Sequence, residues 1–98
     1  MVIVGGVFKV LPGSQDAFLA ERAALMHSSR AEPGCLEYTF SADPLDPGRV
    51  VVFERWATRA DLDAHLAALR SGPARPMTVS TESSAITIYD VSGESPLG

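Results

Sequence analysis

Read from its amino end, the chain switches between two periodicities in a set order. Val2 to Leu11 is short, β-branched and apolar, and Pro12-Gly13 closes it, as expected of a buried strand. Ser14 is placed to cap a helix running to about Arg30, with Phe18, Arg22, Leu25, Met26 and Ser29 near one face. Pro33-Gly34 ends that stretch. Cys35 to Ser41 alternates, with Leu36, Tyr38 and Phe40 on one side and Glu37 and Thr39 on the other. The run Asp43-Pro44-Leu45-Asp46-Pro47-Gly48 is rich in turn formers and leads into a third strand, Arg49 to Ala57. Thr58 is suited to cap a second helix, with Asp61 as its partner. The stripe of that helix is Leu62, His65, Leu66 and Leu69. Ser71-Gly72-Pro73 stops it, residues 72–82 form a loop, and Ser84 to Val91 is the last strand.

The order β-α-β-β-α-β predicts an α+β chain of the ferredoxin-like type, one antiparallel sheet with two helices on one face. At 98 residues it is one domain, expected over residues 1–92 with a flexible tail at 93–98. The first strand and Val50 to Phe53 are apolar on both faces, whereas a sheet with a wet face alternates. The face away from the helices is therefore expected to pack on the same sheet of a second copy, giving a homodimeric α/β-barrel.

Charge and composition remove several function classes. The net charge of -4, with scattered Lys and Arg, lacks the basic face that nucleic acid requires. Cys35 is the only cysteine, so no intrachain disulfide forms, and a reducing cytoplasm fits. No signal peptide is expected, and no apolar run approaches the ~20 residues that span a bilayer. His27 and His65 lie on different helices without metal-ligand spacing, so no metal site is expected. Phosphate-loop and dinucleotide fingerprints are lacking as well.

Four pieces in order carry a more specific signal: Glu32-Pro33-Gly34-Cys35-Leu36-Glu37-Tyr38, Asp43-Pro44 through Pro47-Gly48, Val52-Phe53-Glu54-Arg55-Trp56, and Leu62-Asp63-Ala64-His65-Leu66. Together they resemble the signature of the antibiotic biosynthesis monooxygenase (ABM) domain family, strongly over about a third of the chain and more weakly over the whole. The resemblance implies a ferredoxin-like dimer with a pocket between helices and sheet in each subunit. It also implies an oxidoreductase of the quinol-monooxygenase type, which oxidises anthrones, hydroquinones or polyketide-like phenols with O2 and uses no cofactor, neither metal nor flavin. Other members of the family degrade haem, isomerise or epimerise.

Such chemistry needs an apolar cavity that binds the substrate, removes its proton and excludes water. His65 lies within the leucine stripe, so it points at the sheet, and its ring suits a base near neutral pH; a buried histidine bonded to backbone or to Glu54 is the alternative. Trp56 shares a strand face with Val50, Val52 and Glu54, and its place in the motif makes it a pocket wall rather than plain core. These two, His65 and Trp56, are the expected catalytic residues. Tyr38, Tyr89, Arg22 and Val52 are the expected substrate-binding residues, the tyrosines through their hydroxyls; core aromatics whose OH only reaches the rim are the alternative for both tyrosines. Arg22 would steady a developing phenolate or simply snorkel over the sheet edge. Glu54 and Arg55 are read as structural ion pairs, within the chain or across the dimer, Gly5-Gly6 as room for a ligand or a bulge, and Cys35 as inert.

Two departures narrow the family reading. The chain contains no asparagine, a pocket residue in some anthrone-oxidising and haem-degrading members. No histidine follows His65 to serve as the haem-iron ligand that the second kind places late in the second-helix region. The quinol-oxidising members fit better. An isomerase, epimerase or cyclase, or a dimer that only binds a small ligand, remains the alternative on the same scaffold.

Overall fold

A computed structural model describes residues 1–73 and 78–98. The elements follow in the expected order: β1 Val2–Val10, α1 Gln15–Arg30, β2 Cys35–Ala42, β3 Arg49–Trp56, α2 Arg59–Ser71 and β4 Thr81–Asp90. The strands form one sheet in the order β2-β3-β1-β4, and every neighbouring pair is antiparallel. This is the expected ferredoxin-like α+β architecture. Within the anticipated loop at 72–82, residues 74–77 lie outside the described ones, and β4 starts at Thr81, three residues ahead of Ser84.

Strand parity sorts the side chains onto two faces. Val2, Val4, Phe8 and Val10 of β1 share the helix-facing side with Val50, Val52, Glu54 and Trp56 of β3 and with Tyr38 and Phe40 of β2. The two helices bury that side, α1 against β2 and α2 against β3. Phe18 and Trp56 are wholly buried there and Leu62 nearly so, so truncating any one of these side chains would cost roughly 2–5 kcal/mol. The register shifts between Cys35 and Glu37. Leu36 consequently stays exposed instead of joining Tyr38 and Phe40.

The helix starts differ in chemistry. Thr58 caps α2 as expected, its Oγ1 accepting from the Asp61 amide at 3.1 Å. Ser14 makes no side-chain cap bond to α1. Gln15 anchors that end instead, its Nε2 donating to the carbonyls of Asp46 at 2.8 Å and Arg49 at 2.7 Å in the β2–β3 connection. Gly34 adopts φ +77, and a Cβ there would collide with the Asp61 side chain. The turn between α1 and β2 therefore lies directly on the first turn of α2.

No helix covers β4. Ile86 and Ile88 on its helix-facing side remain 46% and 39% exposed, and they close one end of a cavity between helices and sheet. Gly6, opposite Ile86, has no room for a Cβ because the Ile86 side chain and backbone fill that space.

Candidate active site

The cavity measures about 370 Å³, room for a small aromatic molecule. Val4, Phe8, Leu25, Phe40, Val52 and Leu62 make much of its wall, while Arg22, Tyr38, Glu54 and His65 supply its polar groups. Four of the expected site residues thus meet in one place: His65, Tyr38, Arg22 and Val52.

His65 comes from α2, three residues past Leu62, and only 2% of it is exposed. Its ring centroid stands 5.2 Å from Tyr38 and 4.7 Å from Trp56. Its Nδ1 lies 2.8 Å from Oε2 of Glu32, in the turn after α1. The polar partner is therefore Glu32 rather than Glu54 or backbone.

Trp56 requires a correction. It is completely buried and is not part of the cavity wall. Its ring packs behind His65 at an interplanar angle of 33°, and its Nε1–H donates to Oε1 of Glu54 at 3.0 Å. Trp56 thus holds two groups that do reach the cavity and does not itself touch what would bind there.

Within this chain Glu54 is not ion-paired: among the described residues its side-chain partner is the Trp56 indole, and Arg55 points to the opposite sheet face, in register with Ile3 and Glu37. Burial pushes the Glu54 carboxyl above its ordinary range, against the lowering pull of the Trp56 hydrogen bond and of His65. Burial, with the Glu54 carboxylate beside it, likewise drives the Tyr38 phenol far up, so Tyr38 stays a neutral hydroxyl.

Arg22 does more than snorkel over an edge. Its guanidinium lies 3.6 Å from the centroid of Phe18, a cation–π contact, and it lines the cavity. Desolvation lowers its pKa. Phe8, Phe18 and Phe40 lie beneath it, and ring contacts continue from them through Tyr38 and Trp56 to His65.

Tyr89 lies elsewhere. It pairs with Ile3 in the register that puts Ile88 opposite Val4, so its ring stands on the sheet face away from the cavity and is 54% exposed. The expectation that Tyr89 contacts substrate within this subunit's cavity is corrected for that reason. Cys35 is as quiet as anticipated: its thiol contacts the Glu37 carbonyl at 3.7 Å, and burial raises its pKa. Among the described residues no cluster of three or more His, Cys, Asp or Glu is placed to hold a metal. No helix among them is long and apolar enough to cross a membrane.

Comparison with known proteins agrees with this architecture. The family profile described as antibiotic biosynthesis monooxygenase matches residues 1–70. The solved structure of a candidate antibiotic biosynthesis monooxygenase from Deinococcus radiodurans superposes with a TM-score of 0.81 over 100% of this chain and 99% of that one, at 22% identity. The haem degrader MhuD of Mycobacterium tuberculosis shares the fold at a TM-score of 0.69 and 17% identity, over 98% of this chain and 100% of its own. In sequence, an uncharacterized Synechocystis protein is 38% identical over 65% of this chain, a stretch that spans only 44% of that protein. The candidate monooxygenase YcnE of Bacillus subtilis is 29% identical over 66% of this chain and 68% of its own. The chain belongs to the antibiotic biosynthesis monooxygenase family.

Proposed function

We propose that the chain is a homodimeric monooxygenase that oxidises a small aromatic, hydroquinone or polyketide-like phenol with O2 and needs no cofactor. The observation that supports this best is an apolar, aromatic-walled cavity in which His65, Glu54, Tyr38 and Arg22 are the polar groups. Triplet O2 reacts slowly with closed-shell molecules, but a phenolate or enolate can pass it an electron. The protein's task is then to bind the neutral substrate, take its proton and keep bulk water from the anion. His65 is the base in this reading. Arg22 faces the developing anion, Tyr38 donates a hydrogen bond to a substrate oxygen, and Val52 packs on the ring. Oxidation of an anthrone balances as the loss of two C–H hydrogens, gain of one oxygen atom from O2 and release of one water.

The outer sheet face supports the dimer. Phe53 and Tyr89 are 41% and 54% exposed there, beside Ile3, Val7 and Val51, more apolar surface than a monomer's sheet usually leaves wet. A cytoplasmic site fits a chain whose one cysteine is free.

The test is O2 uptake with a panel of hydroquinones and anthrones, repeated with chelator and with added flavin. Uptake that neither changes supports the proposal; no uptake with any member of the panel contradicts it. His65 and Glu54 in one cavity would equally serve proton transfer without O2, as in an isomerase or epimerase. Turnover undiminished under strict anaerobiosis would favour that second reading.

A further inference from the structure

We infer that Glu32 and His65 form a proton conduit from the cavity to the protein surface, in which Glu32 sets the tautomer of His65 and passes its proton to water. This rests on the reading of the cavity as a place where a phenol loses its proton. The starting observation is that His65 borders two hollows. It lines the main cavity, and it also lines a shallow groove with Glu32, Pro33, Asp61, Ala64 and Ala68. Among the described residues it is the only one shared by the two. The His65 side chain is 1% exposed and that of Glu32 is 27% exposed, so the pair steps from a dry site to a wet one.

The 2.8 Å contact between His65 Nδ1 and Glu32 Oε2 supplies the direction of the proposed conduit. A carboxylate can only accept, so the conduit requires the hydrogen on Nδ1 and the free lone pair on Nε2. A base oriented by a third group through its far nitrogen is the arrangement that activates acid–base pairs in general. In the step proposed, the substrate O–H bond breaks and its proton bonds to Nε2. The Nδ1 proton moves to Glu32, and Glu32 hands it to water in the groove. The cavity then holds a phenolate and neutral His65, the proton is in solvent, and no electron has moved. Without the second leg an imidazolium would remain beside the phenolate, where return of the proton competes with reaction.

The surroundings favour this route over others. Among the described residues, Glu54 from β3, Tyr38 from β2 and Arg22 from α1 share the cavity with His65, Glu32 from the turn after α1 and Asp61 on α2 share the groove with it, and Cys35 stands next to Glu32. Tyr38 and Cys35 are held neutral by burial. Glu54 is buried and raised, and it faces the same cavity as His65. Glu32 owes its reach to the tight turn at Gly34, pressed on Asp61 and pinned where the Ala57 amide donates to the Gly34 carbonyl at 2.8 Å.

The experiment uses 4-nitrophenol, whose ionisation is visible and which needs no O2. Glu32→Gln keeps a hydrogen-bond acceptor for Nδ1–H but cannot take the proton. The expected result is nitrophenol binding within about twofold of wild type, with ionisation of the bound phenol slowed about a hundredfold or more, the span attributed to general acid–base groups. Equal ionisation rates in wild type and Glu32→Gln would overturn the conduit, as would a neutral His65 protonated on Nε2 in the 15N spectrum of the wild-type protein. The spectrum needs no variant, so a misfolded variant does not blunt the test. The two proposals fail separately. Glu32-dependent ionisation without oxidation of any quinol supports the conduit and contradicts the oxygenase; quinol oxidation that is unchanged in Glu32→Gln does the reverse.

Discussion

The Trp56 indole N–H donates to the Glu54 carboxylate at 3.0 Å, from two residues along the same strand and the same sheet face. The bond reaches from the packed core to the cavity wall. It satisfies the buried indole and holds Glu54 in place, and the Trp56 ring backs His65 from the far side.

Trp56→Phe keeps most of the aromatic bulk and removes the donor. Hydrogen bonds to charged groups contribute about 1.5–3 kcal/mol, and the variant should lose about that much stability at neutral pH in urea unfolding. The Glu54 titration followed by 13C NMR should move further up, since the bond that favours its charged form is gone.

Glu54 gives stability a definite pH dependence. Its folded pKa is raised above the ordinary 4.5, so between the two values the folded chain holds a proton that the unfolded chain has released. Stability from this group is therefore fully present below pH 4.5 and is lost as pH rises through the folded value. Glu21 and Asp43, both lowered, act in the opposite sense at the surface, so the comparison must be by difference. The gap in unfolding free energy between Glu54→Gln and wild type should widen, in favour of the variant, as pH rises across that window. A constant gap would count against a raised Glu54.

Gly34→Ala forces a Cβ into left-handed backbone and onto Asp61. The backbone conformation alone costs roughly 1–2 kcal/mol, and the contact with Asp61 adds to it. Thermal unfolding should show the loss. The His65 ring resonances should also shift, because the displaced turn carries Glu32.

Phe53→Asp places a charge on the outer sheet face, opposite Gly5 and Thr39. The proposed sheet-on-sheet dimer should then sediment as a monomer, while a Leu45→Asp control, in the exposed β2–β3 connection, leaves the mass unchanged. A variant that still sediments with the mass of two chains would contradict this interface.

The element order was readable in advance because its signals are local: β-branched runs, Pro-Gly stops and a threonine cap before a leucine stripe. His65 was readable from the same stripe, since spacing along a helix settles which way a side chain points. The errors concern relationships that spacing does not encode. Trp56 and Glu54 share a face, and only the way α2 settles on β3 decides which of them meets the cavity. Tyr89 belongs to a strand in which both parities carry apolar side chains, Ile86 and Ile88 on one and Ala85 and Tyr89 on the other, so its side was open until the pairing with β1 was known. Glu32 stood in the motif without a role because its partner lies 33 residues away. Ser14 had the right chemistry for a cap, but the neighbouring Gln15 anchors that end through a hairpin distant in sequence.

The most direct test of the oxygenase reading is the mass of the product formed from an anthrone-type substrate under 18O2. One 18O atom per product molecule is expected, with abolition of turnover without O2 and a fall of about a hundredfold or more in His65→Ala with the dimer intact. Product that forms at the same rate without O2, or that carries no 18O, would contradict that reading.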